Sequence, residues 1–539
     1  MSGPILQGPF DIPEMTDRIP RRIKPWIFVL WVIIIQFSGG LYLAAATDMV
    51  GDKALMQQDI LMAGYAQLIG MSVNFCVMFR LKFRFSARTG FIMCLTAIMG
   101  CSAICTLTDS VIIMTAASFI AGWFRMWATF LCNSTIQLWL TPVRRMSIFF
   151  CFVYIVVDGT IQLSGISTVY LAFFTSWEYM SWLMIGLLAL TLLSMLLLLK
   201  PQRCPMFIPL LGIDWLGAFL WSVAMIAFTF ICVYGHHFDW WDSSEIWSAT
   251  VIGLACVLIN LWRATFLRHP YISLMAMTNK NVVKASLLYL VFFTMLGTEH
   301  VIEGTYTGAA LGFDNTNLID LNWYVFFGIV TGVGLTYWLF CMRRWRYKSM
   351  VAICFVCLAL YLGWFYFTLD YNVEKEMLFV PLFLRGIGSV VISIVLLTSI
   401  VQSGLPFMVF PQALVINGFM GAVCGAAFGP AVIGELFEKI TARNFALLSS
   451  GVTDTAMWRQ FSTDGMMNHF GEVFGTTQLQ AMMVSMKEIY GWLLIGCIIC
   501  IIIIALSYSR MRPWAIFPKW KTIRKVLRRE SRKTQGAVN

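Results

Sequence analysis

The chain has 539 residues, 59% of them hydrophobic and 12% charged, with a formal net charge of +11. Soluble globular proteins carry roughly 25% charged residues, so this composition excludes an ordinary soluble domain and fits a multi-spanning membrane protein. The basic excess lies in alternate loops and in the C-terminal tail, a topology signal rather than a nucleic-acid surface; alternating ten-residue strands of an outer-membrane barrel are absent.

Apolar runs of about 20 residues, each long enough to cross a ~30 Å hydrocarbon core as a helix, recur along the whole length. Spans are predicted at about 26–46, 58–79, 89–108, 110–138, 147–170, 179–199, 213–234, 247–266, 285–306, 318–341, 350–369, 379–401, 408–434 and 488–508, about fourteen helices. "RRIK" followed by "WIFVLWVIII" resembles a signal peptide. The apolar segment runs on to about Ala46, however, which suits a retained first span.

Basic residues then mark one side. Arg18, Arg21, Arg22 and Lys24 precede the first span, and Arg80, Lys82, Arg84 and Arg88 follow the second. Arg144 and Arg145 follow the fourth, Lys200 and Arg203 the sixth, and Arg268, Lys280 and Lys284 the eighth. Arg343, Arg344, Arg346 and Lys348 follow the tenth, and the tail reads "RMRPWAIFPKWKTIRKVLRRESRK". The opposite loops, such as "GHHFDWWDSSE" and "GFDNTNLID", are acidic or neutral. Both termini are therefore expected in the cytoplasm, with the tail against anionic lipid. One opposite loop is long, about 435–486; it is too polar to span and long enough for short outer helices.

Fifteen cysteines would suggest disulfides in a small secreted protein. Most lie within spans here, as Cys151, Cys256 and Cys424 do, and the CxxC of Cys497 and Cys500 sits in the last span. They read as small hydrophobes. His236 and His237 are adjacent on a loop, a weak signal for metal, and no metal, Walker A or nucleophile-elbow spacing stands out. No metal, cofactor or enzymatic activity is expected.

The loops "FRLKFRFSARTGFIM" and "CMRRWRYKSMVAIC" are both dense basic patches after the second helix of a six-helix set, if spans 1–6 and 9–14 are the two sets. "FIAGWFRMWATF" and "LFLRGIGSVV" echo one another in the fourth helix of each. Weak internal symmetry of this kind is usual in secondary transporters. The chain divides into a cytoplasmic segment 1–25, an N-terminal six-helix bundle 26–199 and a linker with an inserted helix pair 200–284. A C-terminal six-helix bundle 285–508 and a basic cytoplasmic tail 509–539 follow. The glycines of "GFMGAVCGAAFGPAVIG" suit close helix packing in span 13.

Charges inside spans are costly, roughly 2.5–3.5 kcal/mol at the bilayer centre, and are kept with a partner or beside a watery cavity. Arg125 in span 4 and Asp158 in span 5 lie at similar depth on neighbouring antiparallel helices. They form a candidate ion pair, structural or coupling. Span 9 carries "GTEHVIEG". Glu299 lies ~22 Å and Glu303 ~28 Å along it, on one face by their i,i+4 spacing, with His300 about 100° away. Arg385 lies ~10 Å below the outer surface in span 12, near the depth of Glu299. Trp123, Met126, Trp127 and Phe130 cluster on span 4, either as a core or lipid-facing stripe or as lining for lipophilic compounds.

The segments "FDWWDSSEIW", "HPYISLMAMTNKNVV", "VQSGLP" and "EIYGW", with the fourteen spans and the long outer loop, resemble the fourteen-helix drug:proton antiporters of the major facilitator superfamily, the EmrB/QacA type. The resemblance implies two bundles rocking about a central cavity and proton-coupled export of lipophilic or amphipathic compounds. It also implies a bacterial inner membrane and, as partners, a periplasmic adaptor and an outer-membrane channel. The family's first-span acid falls near Gly39 and Gly40, and its span-4 Arg near Ser118, two turns from Arg125. Its span-5 motif is reduced to Gly159 and Gly165, and its span-13 Arg falls near Met420. In that superfamily the first and fourth helices of each set line the cavity. This places Glu299 opposite Arg385 and Glu303 nearer the mouth. Glu299, Asp158 and Glu303 are thus the proton-coupling candidates, Arg385 and Arg125 their partners. Trp123, Met126, Trp127, Phe130 and His300 are the cavity candidates. Two alternatives stand beside export: a carrier of one metabolite, siderophore or lipid-like molecule, and a non-transporting assembly or sensing component.

Overall fold

A computed structural model describes residues 12–17, 19–20, 22–39, 46–141, 145–202, 212–406, 408–452, 466–507 and 511–513. Among these, helices and their links account for the architecture, with one isolated bridge between Met15 and Leu199. Twelve helices are long and apolar enough to cross a membrane, and Gln57–Asn74 with Met78–Arg84, bent by 62°, form a thirteenth. Lys24–Phe37 is a shorter apolar helix at the first predicted span.

In chain order these are α1 (Lys24–Phe37), α2 (Gln57–Asn74 and Met78–Arg84), α3 (Ala87–Leu107), α4 (Val111–Leu140), α5 (Met146–Phe174), α6 (Trp177–Leu198) and α7 (Trp215–Tyr234). They continue as α8 (Ser244–Phe266), α9 (Lys280–Ala310), α10 (Asn317–Met342), α11 (Tyr347–Thr368), α12 (Lys375–Val401), α13 (Phe410–Ser450) and α14 (Phe474–Leu506). Several begin at side-chain caps. Ser86, Asp214, Ser243 and Asn279 each accept a hydrogen bond from a first-turn backbone N–H, satisfying donors a helix leaves open.

Two expectations are corrected. The first helix ends at Phe37, not near Ala46; residues 40–45 lie outside those described, and Ala46–Lys53 forms a separate helix. The loop expected at 435–486 is largely helical, because α13 runs on through Gly429–Val452 and the last helix begins at Met466. Arg443 pairs with Glu488 at 2.6 Å and Asn444 Nδ2 donates to Ser485 Oγ at 2.9 Å, so the two extensions brace each other. Arg18, Arg21, Arg144, Arg203 and the tail from 514 onward lie outside the described residues.

The packing repeats at an interval of eight helices. Helix α2 packs on α4 as α10 does on α12, and α1 on α4 as α9 does on α12. Helix α3 packs on α4 and α6, as α11 does on α12 and α14. Both second–fourth crossings use paired glycines. A Cβ on Gly70 or Gly122 would overlap the Phe119 or Gln67 carbonyl, and one on Gly328 or Gly386 the Phe383 or Val325 carbonyl. Backbones touch there because no side chain separates them. Gly122→Ala is therefore expected to cost about 1–3 kcal/mol of stability. Gly100→Ala, at a position with open space, is expected to cost nothing. Equal thermal stability of the two purified variants would mean the crossing opens freely.

Between the sets, α5 lies along α10 and α12, and α2 along α13. The inserted α7 packs on α2 and α13, with α8 outside it. Toward the basic loops, Phe79 and Phe83 of α2 and Phe149, Phe150 and Cys151 of α5 share one buried core with Cys341 of α10 and Ile400 of α12. The two sets therefore close against each other on that side.

Candidate functional site

Helix α9 passes α13 with Gly297 against Gly429 and Pro430, leaving no room for a Cβ. Just beyond, it widens into a π-helical turn, Glu299–Glu303. Such turns are rare and recur at functional sites. Both carboxylates in this one meet the same guanidinium. Arg385 Nη1 donates to Glu303 Oε1 and Oε2 at 2.8 and 2.7 Å, and Arg385 Nη2 lies 3.1 Å from Glu299 Oε1. Tyr361 of α11 donates its hydroxyl to Glu303 Oε2 at 3.0 Å. The Arg385 side chain is 4% exposed, Glu303 16% and Glu299 24%. Glu303 is therefore the enclosed clamp and Glu299 the freer carboxylate. Expected nearer the mouth than Glu299, Glu303 is also the more fully bonded of the two acids. With both ionised, the cluster has one positive and two negative charges, so one proton makes it neutral.

The Arg125–Asp158 ion pair does not form. Arg125 is 1% exposed and Nη2 donates to Gln36 of α1, to O at 3.1 Å and to Oε1 at 2.9 Å. Gln36 Nε2 in turn donates to Thr129 Oγ1 at 2.7 Å. Arg125 Nε and Nη1 have no hydrogen-bond partner among the described residues. A Cβ on Gly39 would collide with this guanidinium, so the arginine occupies the place an acidic side chain would need. Asp158 is half-buried on α5, within electrostatic reach of Tyr154 and of Tyr289 on α9. Similar depth was not sufficient, because α4 turns its Arg125 face to α1 while α5 packs across to α10 and α12.

The four cavity candidates of α4 divide. Met126 and Phe130 pack toward the core shared by the two sets, where Phe130 meets Phe79 edge-on at 4.8 Å. Trp127 is 1% exposed within the N-terminal set. Trp123 lines an apolar groove of about 630 Å³ between α2, α4 and α7, not a space between the two sets. His300 is exposed and makes no hydrogen bond among the described residues. Ser118, near which the family arginine would fall, lines a small cavity of about 30 Å³ with Ser38, Gln67, Trp177 and Ser181. That is room for one or two waters.

Sequence reasoning missed Tyr361, Gln36 and Tyr289. Their signal was a polar group inside an apolar span, which needs a partner when buried. Tyr289 donates to Ser393 Oγ at 2.9 Å, joining α9 to α12 below the charge cluster.

No family model matches the chain, and no curated protein matches it. Solved structures do. A peptide transporter POT variant aligns with a TM-score of 0.56 at 11% identity, covering 91% of this chain and 96% of that one. A bacterial homologue of the human drug peptide transporters PepT1 and PepT2 gives 0.55 at 10% identity, covering 90% and 98%. The nucleoside transporter NupG gives 0.50 at 12% identity, covering 88% and 99%. Likeness at this identity speaks to architecture, and it agrees with the repeated helix pairings: the chain has the major facilitator fold.

Proposed function

We propose that the protein is a secondary active transporter of the drug:proton antiporter type. In this reading it exports lipophilic or amphipathic compounds from the cytoplasm while protons enter. It would sit in a bacterial inner membrane with both termini cytoplasmic, and hand its substrate to a periplasmic adaptor and an outer-membrane channel. The observation that carries the reading is the buried Arg385 shared by Glu299 and Glu303. A three-charge cluster inside a membrane span is expensive unless it serves transport or folding. Glu299, the more exposed and less bonded acid, takes the proton role. Burial favours a neutral carboxyl and an adjacent guanidinium favours a carboxylate. A conformational change that alters either influence then moves a proton across the barrier. Only ligands or protons that bind the two conformations differently can drive the cycle.

The test is dye movement in proteoliposomes under an imposed pH gradient. Gradient-driven transport by the intact protein, lost in Glu299→Gln, is the expected result. Transport that survives the substitution would transfer the proton role to Asp158. Inactivity of both proteins across a broad dye panel would favour a narrow substrate or a non-transporting component. The narrow-substrate reading has one observation of its own, the buried Arg125 with two nitrogens unpartnered among the described residues, where the antiporter family carries an acid–base pattern.

A further inference from the structure

We propose that His236, Glu435 and Glu438 form a zinc-binding site on the acidic-loop side, joining the turn after α7 to the extension of α13. His236 Nε2 and a carboxylate oxygen from each glutamate all lie within 4.8 Å of one another. His236 Nε2 already lies against Glu438 Oε2. Glu435 and Glu438 are three apart on one helix, which places both side chains on the same face. Zinc holds imidazole nitrogen and carboxylate oxygen at about 2.0–2.2 Å. Small rotations of exposed side chains suffice to close these atoms around one ion, since His236 and Glu438 are 60% and 58% exposed.

The surroundings support ligation. Trp240 Nε1 donates to Glu435 Oε2 at 2.7 Å, the kind of outer hydrogen bond that orients a ligating carboxylate. Against this, Lys439 Nζ lies 2.8 Å from Glu435 Oε1 and competes with an ion for that carboxylate. One imidazole with two carboxylates is a borderline donor set that suits zinc; calcium and magnesium take oxygen ligands. Three protein ligands leave a fourth position for water, and the exposed location gives the ion its entry path. Bound zinc would join the outer end of the inserted pair to the C-terminal set. The site stands on this geometry and does not depend on the transport reading.

The experiment is an equilibrium zinc titration of the purified full chain in detergent, at pH 7, against a chromophoric chelator. One tight zinc per chain is expected, with affinity at least tenfold weaker in His236→Ala and in Glu438→Gln. His237→Ala should bind as the parent does, because the His237 ring packs beside Phe238 outside the cluster. Lys439→Gln should bind several-fold more tightly, because its ammonium no longer competes for Glu435. Absence of tight zinc, or equal affinity in parent and His236→Ala, would overturn the site. Lys439→Gln binding no more tightly than the parent would remove Glu435 and overturn the three-ligand arrangement. Gel filtration of each variant confirms folding, which such exposed positions should not disturb.

Discussion

Arg385→Leu is expected to cost about 3–5 kcal/mol of stability, because it leaves two carboxylates enclosed without their counter-charge. That is a large share of the roughly 5–15 kcal/mol by which folded proteins exceed their unfolded states. The effect should appear as a strong fall in the temperature at which the detergent-purified protein leaves its monodisperse peak. The companion variants separate structure from function. Adding Glu303→Gln to Arg385→Leu should recover most of the loss, since Glu303 accepts two of the arginine's bonds and has the more enclosed side chain. Adding Glu299→Gln instead should recover less, because Glu299 makes one contact and is 24% exposed. Removing all three charges should restore stability, as replacement of a buried ion cluster by neutral groups often does. It should still leave transport abolished. Unchanged stability in Arg385→Leu alone would mean that water reaches the cluster, and a structural clamp by Glu303 would no longer hold.

The order of the membrane helices was legible because hydropathy and loop charge are local properties of the chain; of about fourteen expected spans, twelve helices and one bent pair are long enough to cross, and the first is shorter. A span needs only its own apolar length, and alternation of Arg and Lys between loops checks the count. Depth along a helix is also local, and it put Glu299 level with Arg385. That estimate succeeded because α9 and α12 present those faces to each other. The same arithmetic failed for Arg125 and Asp158, since rise per residue says nothing about which neighbour a helix face meets. The outer extensions of α13 and α14 were misjudged for a related reason. Their helices are held by Arg443–Glu488 and Asn444–Ser485, bonds between residues more than 40 positions apart. His236 met Glu435 and Glu438 across about 200 positions, which no spacing rule reveals. The π-helical turn at Glu299 had no signal beyond its neighbouring glycines. Yet it carries both acids that meet the arginine.

Mild oxidation with copper phenanthroline is expected to join Cys151 to Cys341 and stop turnover. Cys151 lies on α5 and Cys341 on α10, so the bond would tie the two sets together beside the basic loops. Their Sγ atoms are 3.7 Å apart, about 1.6 Å farther than a disulfide, a gap that ordinary side-chain motion closes. Each thiol gives up its proton and one electron to the oxidant, and dithiothreitol returns both. Alternating access requires this side to open, which means α5 must part from α10 and α12 and break the shared core of Phe149, Phe150 and Ile400. A covalent tie across that core removes the open state from the cycle. Transport should therefore fall to background on oxidation, recover on reduction, and be insensitive to oxidation in Cys151→Ser. Peptide mass spectrometry identifies the bond independently of activity. Substrates or gradients that favour opening toward the basic loops should slow cross-linking, because the thiols separate in that state. A complete disulfide with unchanged transport would show that the sets do not part there, and the rocking mechanism would have to be abandoned for this protein.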